Sequence, residues 1–200
     1  ASGHTPLPMV SVCPPNTALT AEAPVPRFSA NITMLWPELA DPYARFRAAA
    51  EAGFTRVERL VVHDLDPGRV QDLLGELGLS LILFDPYPGD WAAGERGLLA
   101  LPARRAELHE TVLAAIETAG RLGTGLLNVL PGVVPEEQRA AAHEVAVENL
   151  QELAPAAEAA GITLLVESIN ILDVPGYAFA SIPEAAQLVR AVAHPAVRLQ

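Results

Sequence analysis

Two hundred residues are enough for one domain with a sizeable core, and half of them are hydrophobic, mostly Ala, Leu and Val with few aromatics. A net charge of −11 and a pI near 4.8 disfavour binding to nucleic acid, and no apolar run reaches the roughly 18 residues of a membrane span. All 13 basic residues are Arg, so the chain has neither the amine of a Schiff-base enzyme nor the Lys of a Walker phosphate loop.

Residues 1–26 hold six prolines and no basic start, and prolines interrupt the mildly apolar stretch from Met9 to Cys13. This segment reads as a flexible tail rather than a secretory signal. Cys13 is the only cysteine, which excludes an intrachain disulfide and suits a reducing cytoplasm. From Arg27 onward, short apolar runs of β character alternate with runs of helical period. The predicted strands are 28–34, 56–62, 79–84, 125–130, 162–168 and 197–200. They are mostly apolar on both faces, as strands covered by helices are.

The helices carry their own start and stop signals. Asp41-Pro42 opens one that Gly53 closes, and Asp66-Pro67 opens another that Gly78 ends. Pro102 begins a third, running to Gly123. Residues 135–160 form a fourth, in which Pro155 predicts a kink or a break. Ser181 and Glu184 have the spacing of a capping box before the fifth.

Six strands joined by helices fit either an open doubly wound sheet or an incomplete (β/α)8 TIM barrel. No glycine-rich dinucleotide turn follows the first strand, and Gln200 falls inside an apparent strand. Both favour an α/β barrel of about five and a half β/α units over residues 27–200, short of its C-terminal strands.

In either fold, active groups sit at the C-terminal ends of strands. Strand five runs mostly apolar from Ile162 to Val166 straight into Glu167. A carboxylate there is costly to bury alone, so Glu167 reads as a metal ligand or general base, or else as the partner of a neighbouring Arg. Strand three leads into a long loop holding Trp91, Glu95 and Arg96. Arg96 is suited to clamp a substrate carboxylate and Trp91 to cover it, the plainer alternative being a surface loop with an internal Glu–Arg pair. His63, near the end of strand two, is a base, a ligand or a cap for the next helix. Glu58 lies within the same strand. Asn128, polar within strand four, hydrogen-bonds either substrate or a neighbouring strand. Asn31 and Thr33 are weaker pointers. His109, His143 and His194 lie away from strand ends and read as solvated or packed.

These blocks resemble the hydroxypyruvate isomerase family of the xylose isomerase-like barrel superfamily. The likeness rests on Arg27 to Asn31, on Ala52-Gly53-Phe54 with Val57-Glu58, on Gly89-Asp90-Trp91 through Glu95-Arg96-Gly97, and on Ile162 to Asn170. Pro175-Gly176-Tyr177 and Val197 to Gln200 also fit. The resemblance implies an isomerase of carbohydrate metabolism interconverting hydroxypyruvate and tartronate semialdehyde, or a related 2-oxo acid, through a metal-bound enediolate. It implies a divalent cation, Mg²⁺ or Mn²⁺, and two glutamates that move a proton. Glu167 matches the first glutamate and the first metal ligand; the remaining ligands would follow Gln200. The 200 residues alone are therefore expected to be inactive. Asn128, Ser168 and Asp85 depart from the family's usual His, Pro and Asn. A negative charge at Asp85 is expected to weaken binding of an anion.

The partner is thus expected to be a small hydroxy-carbonyl acid, with neither nucleic acid nor membrane involved. Unpaired strand edges would favour a homo-oligomer. The alternatives are a ketose 3-epimerase on the same fold, a catalytically inactive truncated product, and a DNA-repair endonuclease of the superfamily. The last would need many His ligands and a basic groove.

Overall fold

The computed structural model describes residues 26–200. Apart from Pro26, the tail expected over residues 1–26 lies outside the described residues, as does Cys13. Six strands form one sheet in chain order: β1 (Ala30–Asn31), β2 (Arg56–Arg59), β3 (Ser80–Phe84), β4 (Leu126–Asn128), β5 (Thr163–Val166) and β6 (Val197–Leu199). Every neighbouring pair is parallel. The connections carry five helices: α1 (Pro42–Glu51), α2 (Pro67–Leu77), α3 (Arg105–Leu122), α4 (Arg139–Ala159) and α5 (Ile182–Val192). A doubly wound sheet reverses its strand order at a switch point, and a barrel does not. The unbroken order is that of a TIM barrel, of which six strands are present.

The strands are shorter than the apolar runs that predict them. Their ladders end early because the chain leaves the sheet at the C-terminal rim. Single hydrogen bonds from Ile32 to Glu58, from Val129 to Leu165 and from Gln200 to Val166 carry the pairing just past the strands.

Helix starts follow the caps. The Asp41 side chain accepts from the Tyr43 amide, and that of Asp66 accepts from the Arg69 amide. Ser181 and Glu184 close both arms of their capping box. The third helix begins later than expected, because Pro102–Arg104 forms a 3₁₀ turn before α3. Pro155 does not break α4, which is continuous across it. Pro155 and Gln151, whose carbonyl loses its donor, are both exposed, so water can replace the missing bond.

The core lies between sheet and helices. Leu127, Leu164 and Val197 form one row across β4, β5 and β6, all fully buried. Phe46, Val70, Val112, Leu150 and Leu188 come from the helices and are equally buried. Leu164→Ala, at the centre of that row, is expected to lower the unfolding free energy by about 2–5 kcal/mol in urea titrations.

Candidate active site

A cleft of about 470 Å³ opens at the C-terminal ends of the strands. Consecutive parallel strands bring to it residues far apart in sequence: Glu58 from β2, Asp85 after β3, Asn128 from β4 and Glu167 after β5. Trp91 and Arg96 reach it from the β3–α3 loop.

Glu167 is half-buried, and its Oε2 accepts a hydrogen bond from Asn128 Nδ2 at 2.9 Å. No arginine forms a salt bridge with it among the described residues. The pairing with a neighbouring Arg, weighed from the sequence, is thus not formed. Asn128 is 3% exposed, and its Oδ1 is buried without a partner among the described residues. Its amide therefore serves the strand neighbour on one side and keeps an acceptor in reserve on the other.

Two further carboxyls crowd the same floor. Asp85 is 5% exposed; burial first, and then the charge of Glu167, holds its carboxyl well above the ordinary 3.8, against the opposing pull of Asn128. Burial likewise raises Glu58, with Glu167 adding to it and a hydrogen bond from Asn31 working the other way. The register between β2 and β3 shifts between Val57 and Glu58, immediately before this residue. The added negative charge expected at Asp85 is thus countered by its burial, which favours the protonated acid. Tyr177 is completely buried nearby and its hydroxyl has no partner among the described residues; burial, then the charges of Glu167 and Asp85, push the phenol up. Sequence reading gave Glu58 and Asp85 little weight and Tyr177 no chemical role. A buried carboxyl has no signature in a linear run unless the neighbouring strands are already placed.

Arg96 supplies the opposite charge. Its guanidinium lies 3.9 Å from the centre of the Trp91 ring and donates to the carbonyls of Trp91 and Glu95 at 3.0 and 2.7 Å. The internal Glu95–Arg96 pair considered from the sequence does not form, because Glu95 is bound to Arg104. The second arginine of the cleft, Arg59, is bound to Asp64 at 2.6 Å.

The loop bearing Trp91 and Arg96 is fixed at its far end. The amides of Leu98 and Leu99 both donate to the Leu130 carbonyl, and Gly97 pairs with Pro131. A Cβ on Gly97 would lie 2.1 Å from the Leu130 oxygen, and one on Gly132 would lie 2.4 Å from the Gly97 oxygen. Only glycine permits this approach.

His63 stands apart. It is exposed, sits edge-on to Tyr87 with ring centres 5.1 Å apart, and lines a second cavity of about 370 Å³. That cavity meets the cleft only at Leu60 and Trp91. Nor does His63 cap α2, since Asp66 does. The site brings together Glu167, Asn128, Trp91 and Arg96 but not His63.

Residues 46–200 match a family model described as xylose isomerase-like TIM barrel. The 2-oxo-tetronate isomerase of Cupriavidus necator is 44% identical over 154 residues, 76% of this chain and 59% of that protein. The hydroxypyruvate isomerase of Escherichia coli is 39% identical over 82% of this chain and 63% of its own length. The chain thus spans about three-fifths of these relatives. Among solved structures, AP endonuclease, family 2, from Brucella melitensis superposes with a TM-score of 0.84 at 38% identity, over 88% of this chain and 67% of that one.

With its carboxyl raised, Asp85 keeps in the folded chain a proton that the unfolded chain releases near 3.8. Stability therefore falls as pH rises from that value through the folded one. Asp85→Asn is expected to remove this decline. In urea unfolding it should gain stability over the parent at about pH 8, with the gain shrinking towards about pH 4.

Proposed function

We propose that this chain, which belongs to the xylose isomerase-like TIM barrel family, takes part in the isomerisation of a short 2-oxo acid bearing a hydroxyl on the carbon next to its carbonyl. One observation carries the reading: a half-buried carboxylate, Glu167, oriented by Asn128, shares a cleft with an arginine that has no carboxylate partner among the described residues. The names of the relatives point to hydroxypyruvate and 2-oxo-tetronate as the first substrates to try.

In this reading the substrate carboxylate is held by the planar fork of Arg96. Trp91, 44% exposed, covers it and excludes water. Asn128 ties down one oxygen of Glu167, and the other faces the hydroxyl-bearing carbon. Glu167 takes the proton from that carbon, giving an enediol, and delivers it to the former carbonyl carbon. The hydroxyl proton passes to the old carbonyl oxygen, so the isomerisation balances without an oxidant. Burial favours the neutral forms of the Tyr177 hydroxyl and of the Asp85 and Glu58 carboxyls, which lessens their repulsion of the developing enediolate.

A divalent cation, Mg²⁺ or Mn²⁺, belongs to the same proposal. Among the described residues no group of three or more His, Cys, Asp or Glu is disposed to hold one. Glu167 would supply one hard oxygen ligand and other ligands would come from elsewhere, so none of the steps above runs through a cation. When bound, it would stabilise charge on the substrate oxygens. The acidic chain and a cleft floored by carboxyls speak against a nucleic-acid substrate. A cytoplasmic setting is part of the proposal; no helix among the described residues is long and apolar enough to cross a membrane.

The test is turnover of hydroxypyruvate and 2-oxo-tetronate by the protein as it occurs in the cell. Glu167→Gln is expected to lower kcat by about 10²–10⁴. Arg96→Gln should raise KM for these acids roughly ten- to hundredfold, because it removes a charge-assisted pair. Efficient 3-epimerisation of neutral ketoses, or a KM unmoved by Arg96→Gln, would overturn the acid reading.

A further inference from the structure

The β3–α3 loop places Glu95 immediately before Arg96. Two such neighbours in a loop can close on each other, and a guanidinium so occupied would be a poor holder of an anion. The structure sends the Glu95 carboxylate elsewhere. Its Oε1 accepts from Arg104 Nη1 at 2.5 Å, and its Oε2 accepts from the Asp90 amide at 2.6 Å. Arg104 is fixed from its other side by Glu107, with Nε donating at 2.5 Å and Nη2 at 2.8 Å. Gly89 makes room for this arrangement, since a Cβ there would lie 2.3 Å from Glu95 Oε2.

Among the described residues, Arg104 therefore carries two carboxylates while Arg96 carries none. Arg104 itself stands outside the cleft lining, at the 3₁₀ turn before α3. The pairing holds the Glu95 carboxyl below its ordinary range and so keeps it ionised, an anion that would turn to Arg96 if released.

We propose that Arg104 is a positioning residue that keeps Glu95 off Arg96 and so sets the affinity of the cleft for a carboxylated substrate. This role rests on the reading of Arg96 as the holder of the substrate carboxylate. An Arg104 that merely braced the loop would behave in the opposite way when Glu95 loses its charge.

The experiment measures KM and kcat for hydroxypyruvate with the protein as it occurs in the cell. Arg104→Met is expected to raise KM about fivefold or more with kcat nearly unchanged. In the double variant Arg104→Met/Glu95→Gln the brace is still cut but the competing anion is gone, and KM should return towards its starting value. A brace alone predicts a double variant as poor as the single one, and that result would sink the proposal. Glu95→Gln by itself separates the two roles even if Arg104→Met fails to fold. It also cuts the brace, and KM should stay near the starting value, so a rise refutes the proposal. Arg96→Gln separates the two levels of inference. If it leaves KM unmoved, the reading of Arg96 has failed. If it raises KM while Arg104→Met does not, or while Glu95→Gln gives no rescue, only the role of Arg104 has failed.

Discussion

The hydrogen bond from Asn128 to Glu167 joins the ends of two neighbouring parallel strands, and the cleft is organised around what it leaves free. A carboxylate emerging from a strand as apolar as β5 has few routes to compensation. An arginine would satisfy it fully and leave it inert. A side-chain amide satisfies one oxygen, fixes the orientation, and leaves the second oxygen available. The carboxyls of Asp85 and Glu58 then share a floor with an anion already in place. Burial and that anion drive both of them towards the protonated form.

The distribution of arginine follows the same logic. The chain has 24 acidic residues against 13 arginines, and the arginines around the β3–α3 loop are mostly taken by carboxylates. Arg59 is taken by Asp64, Arg104 by Glu95 and Glu107, and Arg105 by Glu148 and Glu152. Arg96 is held instead by two carbonyls and an aromatic face. Such contacts stiffen a guanidinium without neutralising it, which suits a group that must meet an incoming anion.

The fold was legible because its signals are local. Asp-Pro at two helix starts, the Ser181–Glu184 box and the two-faced apolar strands each rest on a few adjacent residues. Where locality failed, so did the reading. The third helix starts late, since a proline suits a 3₁₀ turn as well as a first α-helical turn. Pro155 is tolerated because it meets water, and burial cannot be read at a single position. Glu167, Asn128, Arg96 and Trp91 stood out as polar or aromatic residues at strand ends or in the loop that follows one. The partner of Glu95 did not: Arg96 is adjacent in sequence, yet Arg104, nine residues on, is adjacent in space. His63 had the right chemistry and a nearby strand, but the β2–α2 turn points it to another cavity.

The contact between Gly97 and Leu130, with Gly132 closing on Gly97 in return, welds the loops after β3 and β4 into one body. One of these loops displays Arg96 and Trp91; the other continues directly from Asn128. Neither can be lengthened, shortened or exchanged independently, because the backbone fit leaves no slack at the joint. Anyone grafting a new specificity onto this scaffold would have to transplant the two loops together, and natural variation in their lengths would have to be paired in the same way.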